Sequence, residues 1–357
     1  MKIAIILGTR PEIIKMSPVM RELEKRHLDY FILHTGQHYS PNMDVVFFRQ
    51  LDLRQPGYNL NVGSGSHAEE TGKMLIGMDE VLKKEKPTDA LVEGDTNSVL
   101  AGALAAVKSG VRVGHVEAGL RSYDRRMPEE INRVLVDHCA DLLFPPTEKA
   151  RKILLGEGIP KEKIFVTGNT IVDAVYQNAE ISAQKSEILK KLGLSAGKYF
   201  LLTLHRQENV DDRERFAAIL SGIEKLSSEH GLKVIYPIHP RSRKMLERFG
   251  MKAERLTLIE PVDFMDFLAL EQSARLILTD SGGVQEESCI LHVPCVTLRD
   301  NTERPETLDV GANLLAGASP EKIIQCAALM LKKKKNWDNP FGDGRAAAHI
   351  IDILEGK

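Results

Sequence analysis

Polar residues in this chain collect where apolar runs end. Asp95 follows Ala90–Glu93 in Gly94-Asp95-Thr96, and Glu117 follows Arg112–Val116 in His115-Val116-Glu117-Ala118-Gly119. His205 closes the run beginning at Tyr199, His239 closes the run beginning at Lys233, and Glu129 opens a helical stretch after Met127-Pro128. Taken singly, each reads as a helix cap or a satisfied core group. Together they offer carboxylates and imidazoles for general acid/base pairs whose pKa values burial can tune.

Two turns add anion binding to that chemistry. Gly8-Thr9-Arg10-Pro11-Glu12 follows Ile3–Leu7, and Thr279-Asp280-Ser281-Gly282-Gly283 follows Leu276–Leu278. Each reads as strand, small-residue turn and helix, so a helix N-terminus faces whatever binds there. Arg10 can fork onto a phosphate. Lys15, five residues on, reads equally as solvated or functional. In the second turn Ser281, Gly282 and Gly283 allow a diphosphate close to the backbone. An acidic residue in the helix that follows, Glu286 or Glu287, is well placed to take ribose hydroxyls. Neither turn carries G-x-G-x-x-G or G-K-[ST], so neither a nicotinamide cofactor nor ATP hydrolysis is expected.

The elements that must position these residues alternate along the whole chain. Strands are expected at Ile3–Leu7, Tyr30–His34, Ala90–Glu93, Arg112–Val116, Leu142–Pro145 and Ile164–Val166. A second set follows at Tyr199–Leu204, Lys233–Ile238, Leu256–Ile259, Ala274–Thr279 and Pro294–Leu298. In the first half, helices are expected near Glu12–Arg26, Met43–Leu51, His67–Lys84, Ser98–Ser109, Glu129–Cys139 and Glu148–Glu157. Near-continuous apolar strands separated by helices point to parallel sheets covered on both faces. The fold class is therefore α/β, with two Rossmann-like domains facing across a cleft. The expected domains are 1–168, with the C-terminal helix 345–357 packed on it, and 169–344. Gly168–Asn178 is the expected linker, before a polar helix running to about Gly193.

Bulk properties narrow the class. The chain has 357 residues, enough for two cores, and a net charge of −2, which favours neither nucleic acid nor an anionic membrane. Cys139, Cys289, Cys295 and Cys326 have no metal-type spacing and are expected to be buried thiols in a reducing cytoplasm, with no metal site. The Lys332–Lys335 run is read as the solvated end of a helix, with folded structure resuming at Trp337 and Phe341. No apolar run is long enough for a membrane span.

The ordered motifs add up to a family. They are Gly8–Glu12, Gly94–Thr96, His115–Arg121, Pro128–Arg133, Thr279–Gly283 with Gln285-Glu286-Glu287, and Arg299–Glu306. With them the chain closely resembles, nearly end to end, the non-hydrolysing UDP-N-acetylglucosamine 2-epimerases. The resemblance implies a glycosyltransferase-B-type fold whose second domain binds UDP, a homodimer, and no added cofactor. It implies reversible conversion of UDP-N-acetylglucosamine to UDP-N-acetylmannosamine by loss of UDP and its re-addition through a bound 2-acetamidoglucal. Asp95, Glu117 and Glu129 then correspond to catalytic carboxylates, His205 to a histidine that supports the leaving diphosphate or proton transfer, and Lys15 to a functional lysine. Arg10, Ser281, Gly282 and Gly283 correspond to diphosphate ligands, and Glu287 to the ribose ligand. Phe267 falls where uracil is positioned, Arg133 would pair with the carboxylates or with phosphate, and His239 and Arg304 are looser substrate-side candidates. Gln37 and His38 match part of the second, activating site of bacterial members. Asn61–Glu70 departs from the bacterial pattern there, which leaves substrate activation open. The hydrolysing relatives and a glycosyltransferase of the same fold are the alternatives.

Overall fold

The computed structural model describes residues 1–36 and 41–357, and the side chains of all of these except 41–45. Gln37 and His38 lie outside the described residues. The chain divides into two compact units, residues 1–174 with 341–357, and residues 175–340. Each is a six-stranded parallel sheet with helices between its strands.

In the first unit the strands are β1 (Lys2–Leu7), β2 (Asp29–His34), β3 (Tyr58–Asn59), β4 (Asp89–Glu93), β5 (Arg112–Val116) and β6 (Leu142–Phe144). Their order is β3-β2-β1-β4-β5-β6. In the second unit β7 (Tyr199–Thr203), β8 (Lys233–Pro237), β9 (Leu256–Ile259), β10 (Leu276–Thr279), β11 (Cys295–Thr297) and β12 (Asn313–Leu315) run in the order β12-β11-β10-β7-β8-β9. Counted from its own first strand, each sheet is doubly wound in the same way. The strand order reverses between β1 and β4 in one and between β7 and β10 in the other. Open α/β sheets bind ligands at that switch point, outside the carboxyl ends of the strands.

The apolar runs explain the central strands. Ile3–Leu7, Ala90–Val92, Phe200–Leu202 and Leu276–Leu278 are buried throughout, as a parallel sheet covered on both faces requires. The helix Arg10–Lys25 has Pro11 in its first turn, where no N–H partner is needed, and contains Pro18. Pro18 cannot donate to the Ile14 carbonyl, and the Ser17 hydroxyl donates to it instead at 2.7 Å. The C-terminal helix Ala346–Leu354 packs on Arg10–Lys25. Arg26 reaches Asp352 at 2.6 Å and Glu355 at 2.7 Å, while Asp173 accepts from the backbone of Ala346 and Ala347.

Several expectations fail locally. Ile164–Val166 is not a strand: only Ile164 bridges to Leu143, because β6 beside it is three residues long. The expected linker is mostly helix, running Thr170–Lys185, since Ile171, Val172, Ala174, Val175 and Ala179 bury one face of it. β3 and β12 carry too few residues to show a pattern. Cys139 and Cys326 are only partly buried, whereas Cys289 and Cys295 are buried, and all four are free thiols. No helix among the described residues is long and apolar enough to cross a membrane.

Candidate active site

In the first unit β4 and β5 pair with Glu93 opposite Val116, so Asp95 and Glu117 leave the sheet from neighbouring strand ends. Gly94, at φ +85°, turns the chain toward Asp95. Glu117 itself stands at φ +67°, a left-handed conformation costly for a side-chain-bearing residue. Lys15 comes in from the helix after β1. Its ammonium lies 2.6 Å from Glu117 Oε2 and 3.1 Å from Glu93 Oε1. Asn169 Nδ2 donates to the same Glu117 oxygen at 3.4 Å. Burial pushes the Glu93 carboxyl well above the ordinary range, against the pull of Lys15, and the charge on Glu117 adds to the rise.

Asp95 pairs with Arg133 at 2.5 Å, and Arg133 also holds Glu130 at 2.8 Å. Glu130 accepts from the backbone of Ser122 and Tyr123 and so fixes the loop before its own helix, Pro128–Cys139. Glu129 stands half-buried in that helix's first turn, with no hydrogen bond or ion pair to a described residue. Behind these groups His115 Nδ1 meets Asp137 at 2.7 Å and Nε2 meets the Gly94 carbonyl at 2.8 Å. Burial alone would lower the imidazole pKa, but Asp137 outweighs it and the pKa is raised.

The two anion-type turns differ. After β1 the Gly8 N–H already donates to Glu12 Oε2 at 2.6 Å, and Thr96 donates to Glu12 Oε1 at 2.7 Å. A carboxyl of the protein occupies that helix start, and burial pushes its pKa up. Arg10 remains exposed above it, its guanidinium 5.9 Å from the Phe47 ring centre. After β10 the helix Gly282–Ile290 begins at Ser281, whose side chain does not cap it. A Cβ on Gly282 would come no closer than 3.7 Å to Glu303, and one on Gly283 no closer than 3.9 Å to Ser281. The protein's own packing therefore does not demand glycine at either place.

Asp280 ties this turn to the end of β7. Its fully buried carboxylate accepts from the backbone of His205 and Arg206 at 2.9 and 2.8 Å, and from Asn209 at 3.2 Å. His205 Nδ1 lies 3.1 Å from it, which directs Nε2 away from Asp280. Burial would raise the Asp280 pKa, but His205 and these amides bring it below the ordinary value. The His239 ring lies 5.5 Å from that of His205 and caps its own helix, accepting from Arg241 N at 3.1 Å. Burial, then the nearby His205 and Arg241, keep His239 below its ordinary pKa. Glu287 lies half-buried on the helix Gly282–Ile290, and Phe267 half-buried on Phe264–Ser273. Arg304 pairs with Glu286 at 3.0 Å.

The structure thus joins Lys15 to Glu117 and Asp95 to Arg133 in the first unit, and draws His205 and His239 together in the second. Sequence reasoning missed Glu93, Glu12, the His115–Asp137 pair and the organising role of Asp280. Glu93 and Asp280 did carry a signal, as acids at the ends of apolar strands.

This chain matches the family described as UDP-N-acetylglucosamine 2-epimerase over residues 21–355. It is 57% identical to the UDP-N-acetylglucosamine 2-epimerase of Methanocaldococcus jannaschii, with 99% of each chain covered. A crystal structure of the M. jannaschii UDP-GlcNAc 2-epimerase in complex with UDP-GlcNAc and UDP superposes with a TM-score of 0.84 at 56% identity, over 100% of both chains. The chain is also 42% identical, over 99% of each, to the UDP-2,3-diacetamido-2,3-dideoxy-D-glucuronate 2-epimerase of Pseudomonas aeruginosa.

Proposed function

We propose that this chain, which belongs to the UDP-N-acetylglucosamine 2-epimerase family, interconverts UDP-N-acetylglucosamine and UDP-N-acetylmannosamine without releasing free sugar. The observation that carries the reading is the set of groups at the first switch point: Glu117 on Lys15 and Asp95 on Arg133, at adjacent strand ends. The reaction needs a base that is ionised yet able to give its proton back, and a carboxylate held by a partly buried cation suits that task.

A carboxylate of this set takes the C2 proton as the C1–O bond breaks. The bond's electron pair leaves with UDP, and the electrons of the C2–H bond form the C1=C2 double bond of the glucal. A proton then returns to the opposite face of C2, and UDP adds back to C1. Asp95, Glu117 and Glu129 are the carboxylates assigned to these transfers. The glycine turn Ser281–Gly283, with Arg10 and His205, supports the negative charge that develops on the departing diphosphate. Glu287 takes the ribose and Phe267 the uracil, with no added cofactor. The protein acts as a cytoplasmic homodimer.

The test is proton and phosphorus NMR with UDP-N-acetylglucosamine in D₂O. UDP-N-acetylmannosamine deuterated at C2, with little free UDP, is the expected product. Stoichiometric free UDP with N-acetylmannosamine would mean hydrolysis instead. Turnover confined to the diacetamido glucuronate nucleotide would move the substrate and keep the reaction class.

A further inference from the structure

Behind the helix that carries Glu287 lies a carboxyl that this reading does not use. Glu271, on the helix Phe264–Ser273, has no exposed surface, and no described N–H or hydroxyl donates to either of its oxygens. Its helix contributes Ala269 and Leu270 to an apolar cluster with Tyr199, Ile277 and Val284. The polar group it meets is the carboxyl of Glu287, within hydrogen-bonding reach. Two carboxyls in contact, in apolar surroundings and with no donor between them, cannot both be ionised. One proton must lie between them.

The other titratable groups around the pair do not supply a cation to it. Tyr199 donates its hydroxyl to the Leu270 carbonyl. Cys295 is a buried thiol raised to about 12 by burial. Glu286, beside Glu287 on the same helix, adds negative charge and is itself held by Arg304. Burial pushes Glu271 well above the ordinary carboxyl range, with the Glu287 charge adding to it, and pushes Glu287 up to about 7. A methionine or leucine would fill the Glu271 position without that desolvation cost. Keeping an acid there calls for a role.

We propose that Glu271 is a positioning residue for nucleotide binding: it donates its carboxyl proton to Glu287, so that Glu287 stays ionised and aimed at the ribose hydroxyls. This rests on the reading that Glu287 meets the ribose. A protonated Glu271 makes one strong O–H···O⁻ bond to Glu287 and leaves the other Glu287 oxygen free to accept. A second proton, arriving as the pH falls through about 7, removes that acceptor.

Calorimetric titration with UDP and with 2′-deoxy-UDP, from about pH 6 to about pH 8, tests this. Both nucleotides carry the same diphosphate, so the ratio of their affinities isolates the ribose. The wild-type preference for UDP should shrink as the pH falls. Glu271→Met should reduce it about tenfold or more at the high end, the worth of a hydrogen bond to a charged group. Glu271→Gln, whose amide also donates, should restore most of it. A Glu271→Met protein with the wild-type ratio at every pH overturns the proposal. If that variant does not fold, a wild-type ratio unchanged across the pH range overturns it. Glu287→Ala separates the two failures. Should Glu287→Ala leave the preference intact, the ribose reading itself fails. Should it abolish the preference while Glu271→Met does not, only the positioning role fails.

Discussion

The ammonium of Lys15 lies 2.6 Å from Glu117 Oε2, on a residue whose backbone is held at φ +67°. The same ammonium faces Glu93 at 3.1 Å, so one cation serves two carboxyls. Lys15→Met keeps the length of the side chain and removes the charge. Glu93 and Glu117 would then repel each other in a largely buried setting, and the pair would hold a proton more tightly. Loss of a nearby positive charge raises a carboxyl pKa, so the ionised base forms only at higher pH. The expected result is a fall in kcat/KM of about 100-fold or more near neutrality. The acid limb of the pH–rate profile should also move upward. An unmoved limb would separate Lys15 from the group that limits the rate.

Asp95 and Arg133 make the second pair, at 2.5 Å. Asp95→Asn preserves shape and removes the charge that the proposed mechanism assigns to proton transfer. Turnover should fall by about 10²- to 10⁴-fold, while UDP affinity, set elsewhere, changes by no more than about twofold. Paired kinetics and UDP titration check it. A matched loss in both would make Asp95 a binding residue.

Legibility in the sequence followed chain distance. β1, β4, β7 and β10 showed because each is built on a buried apolar run, β5 showed by its valines, and the ends of these strands exposed Asp95, Glu117 and His205. Glu93 escaped because it reads as the last residue of its strand, and only Lys15, in a distant segment, gives it meaning. Asp137 sits in the last turn of its helix and acquires its role from His115 on β5. Glu12 carried no signal beyond its place in the Gly8–Glu12 turn, and only the fold shows its side chain closing that turn onto Gly8. Gly168–Asn178 was the expected linker, and the division between the units does fall within it, but its apolar spacing made most of it helix.

The His115–Asp137 pair is expected to govern stability rather than chemistry. Both side chains are fully buried, and Arg121 also reaches Asp137 at 2.7 Å. Asp137→Ala leaves buried His115 without its carboxylate and takes one of two carboxylates from Arg121, which keeps Glu157, and should cost about 3–5 kcal/mol. The pH dependence has two edges. His115 has a folded pKa above 6.5, so its contribution is full below 6.5 and is lost as the pH rises through that higher value. Asp137 has a folded pKa below 3.8, burial being outweighed by His115 and Arg121, so its contribution is present above 3.8 and is lost as the pH falls through that lower value. Urea unfolding at about pH 6 and about pH 8 should show wild-type stability falling between them by more than in His115→Gln. Equal falls would mean that His115 is neutral in the folded protein.

Gly282 separates a ligand's demand from the protein's own. A Cβ there would lie at ordinary contact distance, 3.7 Å from Glu303, and the residue begins a regular helix. By the protein's packing alone, Gly282→Ala should be neutral or stabilising by about 0.4–1 kcal/mol, because alanine restricts the unfolded chain. If a diphosphate approaches the backbone at this helix start, the new methyl group stands in its way. The expected outcome is an unchanged or raised melting temperature with UDP affinity lowered about tenfold or more. Arg10→Ala should weaken UDP by a similar factor through a lost charged hydrogen bond of about 1.5–3 kcal/mol, without altering stability. An alanine at 282 that leaves both stability and UDP affinity untouched would move the diphosphate away from this turn, whatever Arg10 does.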